Sequence, residues 1–167
     1  MNKPVPPMMG IASPTGSHLP SLEAALAELP DGSTVFEHGA GMYSTPTLCR
    51  YPVRVVCSES HPGWLEWARW MYSKAGRDCE FVDSWKRLVP RLSDAAVVFV
   101  DGAAGERGPL LQAALERNVS TVVVHDTDEK DWGFYGLRSH MFGWRGYKVT
   151  HHAEDSHRTT VWRRSMS

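Results

Sequence analysis

The sequence predicts a single α/β domain with an open, mostly parallel sheet of seven strands. Short runs rich in β-branched and aromatic residues alternate along the chain with segments of helical periodicity. Two of these runs, 96–100 and 120–124, are almost continuously apolar, which is typical of strands buried on both faces of a parallel sheet. A length of 167 residues, 42% of them hydrophobic, is enough for one core and too short for two ordinary domains.

The N-terminal stretch differs in composition from the rest of the chain. It is rich in proline and glycine, which oppose regular helix, so residues 1–19 are predicted to form a flexible arm and residues 20–167 the folded domain. The domain is predicted to begin with a short helix over 21–29. Ser21 is expected to cap this helix, and Pro30 follows its end.

The remaining elements follow in regular alternation. The β-branched runs predict parallel strands over 34–37, 53–57, 80–82, 96–100 and 120–124. The periodic segments predict crossover helices over 62–74, 84–92 and 108–117. Two half-polar segments, 147–152 and 158–164, alternate in polarity around a short polar stretch and predict an antiparallel hairpin at the sheet edge.

Charge and cysteine content argue against several classes of protein. Eighteen Lys and Arg against nineteen Asp and Glu give a formal charge of −1, so a nucleic-acid partner is unsupported. Three cysteines without a CxxC pair favour a reducing compartment over a disulfide framework or a zinc knuckle. No apolar run approaches the ~20 residues that span a bilayer, so a cytoplasmic protein without membrane contact is expected.

Glycine and acidic residues follow the first two predicted strands. In an open parallel sheet, ligands bind beyond the carboxyl ends of the strands. Gly39 and Gly41 predict a tight turn that lets backbone approach a ligand, and the next helix offers free N–H groups. Glu59, followed by Ser60, lies twenty residues beyond Gly39, where an acidic side chain can accept from both ribose hydroxyls. The two signals together predict a nucleoside ligand.

Glu37 and Ser44 indicate which nucleoside. A carboxylate at Glu37, just before the turn, is unfavourable for a pyrophosphate but favourable for the ammonium and sulfonium charges of S-adenosylmethionine, directly or through water. A dinucleotide site usually has a third glycine where Ser44 stands, so an NAD-dependent enzyme is disfavoured.

The residues after the third strand, Asp83, Ser84 and Trp85, have two interpretations. Asp83 can accept from the adenine amino group while Trp85 offers a face to the ring. In the alternative, Asp83 caps a helix that begins at Ser84, and Trp85 belongs to the core.

At this point the pattern resembles the class I, Rossmann-like S-adenosylmethionine-dependent methyltransferases over residues 20–164. The E-x-G-x-G-x-x-S signature spans 37–44, and Asp101-Gly102 with His125-Asp126-Thr127 resembles a small branch similar to catechol O-methyltransferase. The resemblance implies that Asp101 also lies against the cofactor, and that Asp101 and Asp126 help to hold a divalent cation such as Mg²⁺ on the acceptor hydroxyl. The relatives have asparagine where this chain has Thr127.

The acceptor side of the site therefore has several candidate residues. Asp101 and Asp126 can ligate Mg²⁺ through oxygen and lower the pKa of the acceptor, or His125 or His38 can serve as a base near neutral pH. The aromatic segment 128–145 is a candidate lid or pocket wall, with Lys130 or Arg138 fixing an acid group; alternatively it is a helix packed on the sheet.

We therefore expect methyl transfer to a small-molecule acceptor, on oxygen rather than nitrogen. A nucleic-acid methyltransferase is the second hypothesis, but base-amino methylation commonly uses (Asp/Asn)-Pro-Pro-(Tyr/Phe), and this chain has Asp-Gly-Ala-Ala at 101–104. A protein that binds S-adenosylmethionine without transferring its methyl group is the third. The small size makes a homo-oligomer that completes the acceptor pocket a further expectation.

Overall fold

The computed structural model describes residues 18–154 and 157–165, which form one seven-stranded sheet with helices on both faces. The strands are β1 (Thr34–His38), β2 (Arg54–Ser58), β3 (Cys79–Val82), β4 (Val97–Val100), β5 (Thr121–Val124), β6 (Tyr147–Glu154) and β7 (His157–Arg164). The α-helices are α1 (Leu19–Ala27), α2 (Ser44–Arg50), α3 (Pro62–Lys74) and α4 (Ala104–Glu116). The predicted fold class is confirmed.

The strand order, β3-β2-β1-β4-β5-β7-β6, places a topological switch point between β1 and β4. The first five strands are parallel, and their carboxyl ends align, since His38 pairs with both Ser58 and Val100, and Val100 pairs with Val124. Strand β7 runs antiparallel to β5 and to β6, as the predicted hairpin requires. The loops after β1, β2, β4 and β5 therefore leave the sheet at the same edge.

Alternate strand residues build two cores, one on each face of the sheet. On one face, Val35, Val55 and Phe99 pack against helices α1 to α3 through side chains such as Leu22 and Trp67. The opposite face is covered by α4 and by the segment after β5. Two buried faces explain why β4 and β5 are apolar along their whole length.

The structure corrects three predicted elements. Helix α1 begins at Leu19, so Ser21 is a buried helix residue and not the cap. The segment 84–92 is not a continuous helix but two 3-10 helices, Trp85–Arg87 and Val89–Asp94, with Pro90 at the start of the second. Helix α4 begins at Ala104, four residues before the predicted start, and has Pro109 inside it.

The segment 128–145 contains one 3-10 helix, Glu129–Asp131, and otherwise turns, so the packed-helix alternative is wrong. Trp132 is buried and its Nε1 donates to the Thr127 carbonyl at 2.9 Å, whereas Phe134 and Phe142 are exposed. This segment thus contributes both core and surface.

Two expectations about the whole chain can be compared with the described residues. Cys49, Cys57 and Cys79 are free thiols, in agreement with the predicted lack of a disulfide framework. In the described parts of the chain, every helix is too short or too polar to cross a membrane. Most of the predicted arm, residues 1–17, lies outside the described residues.

Candidate functional site

The turn after β1 packs directly against the end of β4. Gly39 has a φ of +89°, and a Cβ there would lie 2.5 Å from Gly102 N and 2.7 Å from the Asp101 carbonyl oxygen. Both the backbone conformation and the close approach require glycine. Gly41 follows, and its N–H donates to Thr45 Oγ1 at 3.3 Å. The predicted glycine turn thus lies at the switch point, and its tightness has a structural cause.

Glu37 lies beneath this turn and faces α2 and α3. It has no exposed surface, and it accepts hydrogen bonds from Ser44 Oγ at 2.9 Å, Thr45 Oγ1 at 2.8 Å and Tyr72 OH at 3.0 Å. Burial raises the pKa of Glu37 to about 7, although the hydrogen bonds from Thr45, Ser44 and Tyr72 act in the opposite direction. The carboxylate therefore holds the start of α2 in place, and its contact with a ligand stays a prediction.

Replacing Glu37 by glutamine is expected to flatten the pH dependence of stability between about pH 4.5 and 7. In this window the folded chain holds a proton on Glu37 that the unfolded chain has lost, so stability falls as the pH rises through it. Glutamine cannot titrate and should remove this slope. Urea unfolding across the window measures it, with exposed Glu66→Gln as the control. An unchanged slope in Glu37→Gln would contradict the assignment.

Glu59 joins the end of β2 to the glycine turn. Its Oε2 accepts from Ala40 N at 2.9 Å and its Oε1 accepts from His61 N at 2.6 Å. A carboxylate has about four acceptor positions, so both oxygens keep capacity for further donors. The structure thus brings Glu59 beside the turn, as its spacing predicts, while the next residue, Ser60, is exposed.

The residues after β3 stand apart from this arrangement. The Asp83 side chain is 79% exposed and lies 3.6 Å from Arg87 Nε, and Ser84 caps the 3-10 helix by accepting from Lys86 N. Trp85 is partly buried against the core. The capping role that the alternative interpretation gave to Asp83 therefore belongs to Ser84, and its predicted adenine contact stays a prediction.

A cavity of about 510 Å³ opens beside β3 and shares only Asp83 with the predicted cofactor residues. Its walls include the side chains Leu65, Arg69, Phe81, Asp83, Arg87 and Arg91. Because Glu37, Gly39, Glu59 and Asp101 do not line it, this cavity is not the site that the sequence predicts.

A buried arginine connects the loops after β4 and β5. Arg107, from the second turn of α4, places NH2 at 3.1 Å from Asp101 Oδ1 and NH1 at 3.5 Å from Asp126 Oδ2. It also donates to the carbonyl oxygens of Gly102 at 2.8 Å and His125 at 2.9 Å. Its guanidinium lies over the Tyr135 ring, 4.2 Å from the centroid. The Arg107 side chain therefore holds together the two loops that carry Asp101 and Asp126.

His125 stands between the same two carboxylates. Its Nδ1 is 3.1 Å from Asp101 Oδ1, and its Nε2 is 3.3 Å from Asp126 Oδ1. Burial lowers the pKa of His125, but the hydrogen bond and charge of Asp101 and the charge of Asp126 outweigh it, so the pKa is raised. Burial raises the pKa of Asp101, yet His125 and Arg107 outweigh it and lower the value to about 2.

The other histidine named as a base, His38, is buried under Gly102. Its Nε2 lies 3.3 Å from Glu106 Oε2, within ion-pair distance but without hydrogen-bond geometry. Burial and the charge of Arg107 lower the pKa of His38 to about 4. His38 is therefore a neutral and weak base at neutral pH.

The predicted magnesium site between Asp101 and Asp126 does not fit this geometry. The guanidinium of Arg107 contacts both carboxylates and so takes the place between them that a shared cation would need. Thr127 cannot take the place of the relatives' asparagine, because its hydroxyl is paired with Thr160 Oγ1 at 2.7 Å. A magnesium ion shared by Asp101 and Asp126 stays a prediction from the sequence, and these contacts do not favour it.

Sequence reasoning missed three contributors to the site: His18, Arg107 and His157. His157, the first residue of β7, places its Nδ1 3.2 Å from Asp126 Oδ1. His18, which the sequence analysis assigned to the arm, is buried with its ring centroid 4.5 Å from that of His125. The only signal for Arg107 was a basic residue directly before the predicted helix 108–117.

Several solved structures that share this arrangement of strands and helices are named as methyltransferases. No protein-family model and no curated protein sequence matches the chain. The cofactor-bound Rv0187 from MTB is 21% identical, with a TM-score of 0.71, and the match covers 96% of this chain and 84% of that one. An RNA methyltransferase from Salinibacter ruber in complex with S-adenosyl-L-homocysteine is 17% identical, with a TM-score of 0.60 and coverage of 94% and 95%.

A third similar structure is named as a precorrin methyltransferase. The precorrin-6y C5,15-methyltransferase from Geobacter metallireducens is 18% identical, with a TM-score of 0.66 and coverage of 89% of this chain and 87% of that one. At these identities the similarity establishes the fold. The chain therefore shares the fold of these three structures.

Proposed function

We propose that this protein is an S-adenosylmethionine-dependent methyltransferase that acts on a hydroxyl oxygen of a small molecule. The observation that carries the proposal is the convergence of the glycine turn, Glu59 and Asp101 at the switch point. Glu59 accepts from Ala40 within the turn at 2.9 Å, and the turn packs on the backbone of Asp101 and Gly102. A nucleoside held there lies beside the carboxylate–imidazole cluster at the ends of β4 and β5.

The proposed cofactor residues are assigned to different parts of the cofactor. Each oxygen of Glu59 already accepts one hydrogen bond and can accept more, which matches the two hydroxyls of a ribose. Backbone of the Gly39–Gly41 turn approaches the amino-acid part, while Glu37 and Ser44 hold the turn from below. The ribose and adenine end of the cofactor is assigned to Ser60, Asp83, Ser84 and Trp85. Asp101 is assigned to the end of the cofactor that faces the acceptor. The cofactor supplies a methyl group on positively charged sulfur.

Asp101, His125 and Asp126 are the proposed catalytic residues. Asp101 accepts a hydrogen bond from the acceptor hydroxyl. This bond orients the hydroxyl so that a lone pair of its oxygen points at the methyl group of the cofactor, which is the main requirement of an in-line displacement. The proton of the hydroxyl passes to the unprotonated nitrogen of His125, and the imidazolium that forms lies between the carboxylates of Asp101 and Asp126, at 3.1 Å and 3.3 Å. Asp126 and Arg107 keep the imidazole in this orientation.

An RNA acceptor is the second candidate, because three similar structures are named as RNA or rRNA methylases. The formal charge of −1 and the Asp-Gly-Ala-Ala sequence after β4 favour the small molecule. The proposal includes membership of the catechol O-methyltransferase-like branch, which the Asp-Gly and His-Asp-Thr sequences support. It also includes a cytoplasmic location, which the three free thiols support. A homo-oligomer that completes the acceptor pocket also belongs to it.

Calorimetry with three ligands tests the cofactor. S-Adenosylmethionine and S-adenosylhomocysteine are expected to bind with one site per chain, and NAD is not. Binding of NAD without any response to the other two would overturn the proposal. Incubation with methyl-labelled cofactor and either catechols or total RNA then separates the two acceptor classes. Label in RNA alone would refute the small-molecule acceptor.

Glu59→Ala is expected to weaken binding of S-adenosylmethionine by about 2–4 kcal/mol, because two hydroxyls lose a charged acceptor. Calorimetry measures this loss, and urea unfolding first establishes that the variant is folded, since Ala40 and His61 also lose an acceptor. Glu66→Ala on the exposed surface of α3 is the matched control and should bind normally. Normal affinity in folded Glu59→Ala would refute the ribose contact.

A further inference from the structure

Three side chains from distant parts of the chain meet at the ends of β4 and β5. His18 immediately precedes α1, Asp101 follows β4 and His125 follows β5. One nitrogen or oxygen atom from each of the three lies within 4.8 Å of the others. Asp101 Oδ1 and His125 Nδ1 are 3.1 Å apart. Two ligand atoms at about 2.0–2.2 Å from one metal ion are separated by about 3 Å, so this pair already has the required spacing.

His18 provides an independent indication of a ligand. Its side chain is 4% exposed, and neither ring nitrogen has a hydrogen-bond partner among the described residues. The ring instead lies against Phe99 and His125, with centroids 5.0 Å and 4.5 Å away. Burying an imidazole with both nitrogens unpaired is unfavourable, and binding of a cation to one of them removes part of this cost.

We infer that His18, Asp101 and His125 form a three-ligand site for a divalent transition metal of the zinc class. Two imidazoles and one carboxylate are a donor set that suits zinc, cobalt or iron, whereas magnesium prefers oxygen ligands. Three protein ligands leave at least one position for water or an acceptor oxygen.

The charge of the surroundings agrees with a divalent cation. The carboxylates of Asp101, Asp126 and Asp128 lie around His125 and His157, and Arg107 is the guanidinium that contacts this group. With neutral imidazoles, three negative charges and one positive charge leave an excess of two negative charges. A divalent cation at the three-ligand site would balance this excess. Arg107 remains bound to Asp101 and Asp126.

The site goes beyond the proposed methyl transfer and is testable without it. Metal binding requires neither the cofactor nor an acceptor. A metal and a proton compete for the same lone pair of His125, so a metal-bound His125 would not accept the hydroxyl proton, and the metal would instead lower the pKa of that hydroxyl.

Titration of the untagged, metal-free chain with Co²⁺ tests the inference, followed by displacement with Zn²⁺. One Co²⁺ per chain is expected, with visible absorption bands that Zn²⁺ abolishes and Mg²⁺ does not. In His18→Ala, the affinity for Co²⁺ should fall by roughly 10- to 100-fold or more. Loss of a residue that only hydrogen-bonds a metal ligand already costs this much, and His18 is itself a proposed ligand. His140→Ala is the matched control, because His140 is also 4% exposed with an unpaired ring nitrogen. This variant should bind Co²⁺ normally.

The same titration can overturn the inference. Absence of Co²⁺ binding, equal affinity in His18→Ala, or displacement by Mg²⁺ as readily as by Zn²⁺ would each do so. Should His18→Ala fail to fold, anomalous diffraction from crystals soaked in Zn²⁺ decides. A peak among His18, Asp101 and His125 supports the site, and the lack of one there refutes it. Failure of S-adenosylmethionine binding would leave all of these outcomes unaffected.

Discussion

Arg107→Ala is expected to lower the free energy of unfolding by about 3–5 kcal/mol, the usual cost of removing one partner from a buried ion pair. The Arg107 side chain is 8% exposed and contacts the carboxylates of Asp101 and Asp126, which are themselves mostly shielded from water. Without it, two negative charges face each other without a cation beside them. Two carbonyl oxygens, of Gly102 and His125, lose their donor as well.

Urea unfolding of the variant measures this loss, and Arg87→Ala is its control. Arg87 also pairs with an aspartate, Asp83, but both side chains are largely exposed, at 73% and 79%. Solvent screens such a pair, so its loss should cost less than about 1 kcal/mol. A similar small effect for both variants would mean that Arg107 does not neutralise the cluster.

Gly39→Ala is expected to lower the free energy of unfolding by roughly 2–5 kcal/mol, as strain at positive φ adds to overpacking. The new Cβ would meet Gly102 N at 2.5 Å and the Asp101 carbonyl carbon at 2.6 Å, and backbone cannot move aside as a flexible side chain can. The loops after β1 and β4 must separate to accommodate it. Binding of S-adenosylmethionine should weaken with it, because the turn would leave its place beside Glu59.

Unfolding and calorimetry together test this prediction, with Gly105→Ala as the control. Gly105 lies in the first turn of α4, and a Cβ there has no atom within 4 Å. Alanine is the better helix former, so this change should be neutral or stabilising by up to about 1 kcal/mol. Comparable destabilisation in both variants would show that the contact between the two loops is not the cause.

Local sequence patterns predicted part of the candidate site. Each of Gly39, Glu59, Asp101 and His125 directly follows a strand, and parallel strands bring their carboxyl ends to one edge, so spacing along the chain is enough to place them together. The direction of the Glu37 side chain was not predictable in this way. Its position in β1 points it toward α2 and α3, where Ser44, Thr45 and Tyr72 enclose it.

The sequence by itself determined the α/β class, the seven strands with their terminal hairpin, and the strand ends that form the site. These follow from periodicities of a few residues, which reflect the faces that a strand or helix buries. Only the tertiary structure decided that Arg107 lies between the two aspartates and that His18 closes against His125. Those contacts join residues far apart in the chain, and their energies depend on shared burial and charge, which no local pattern records.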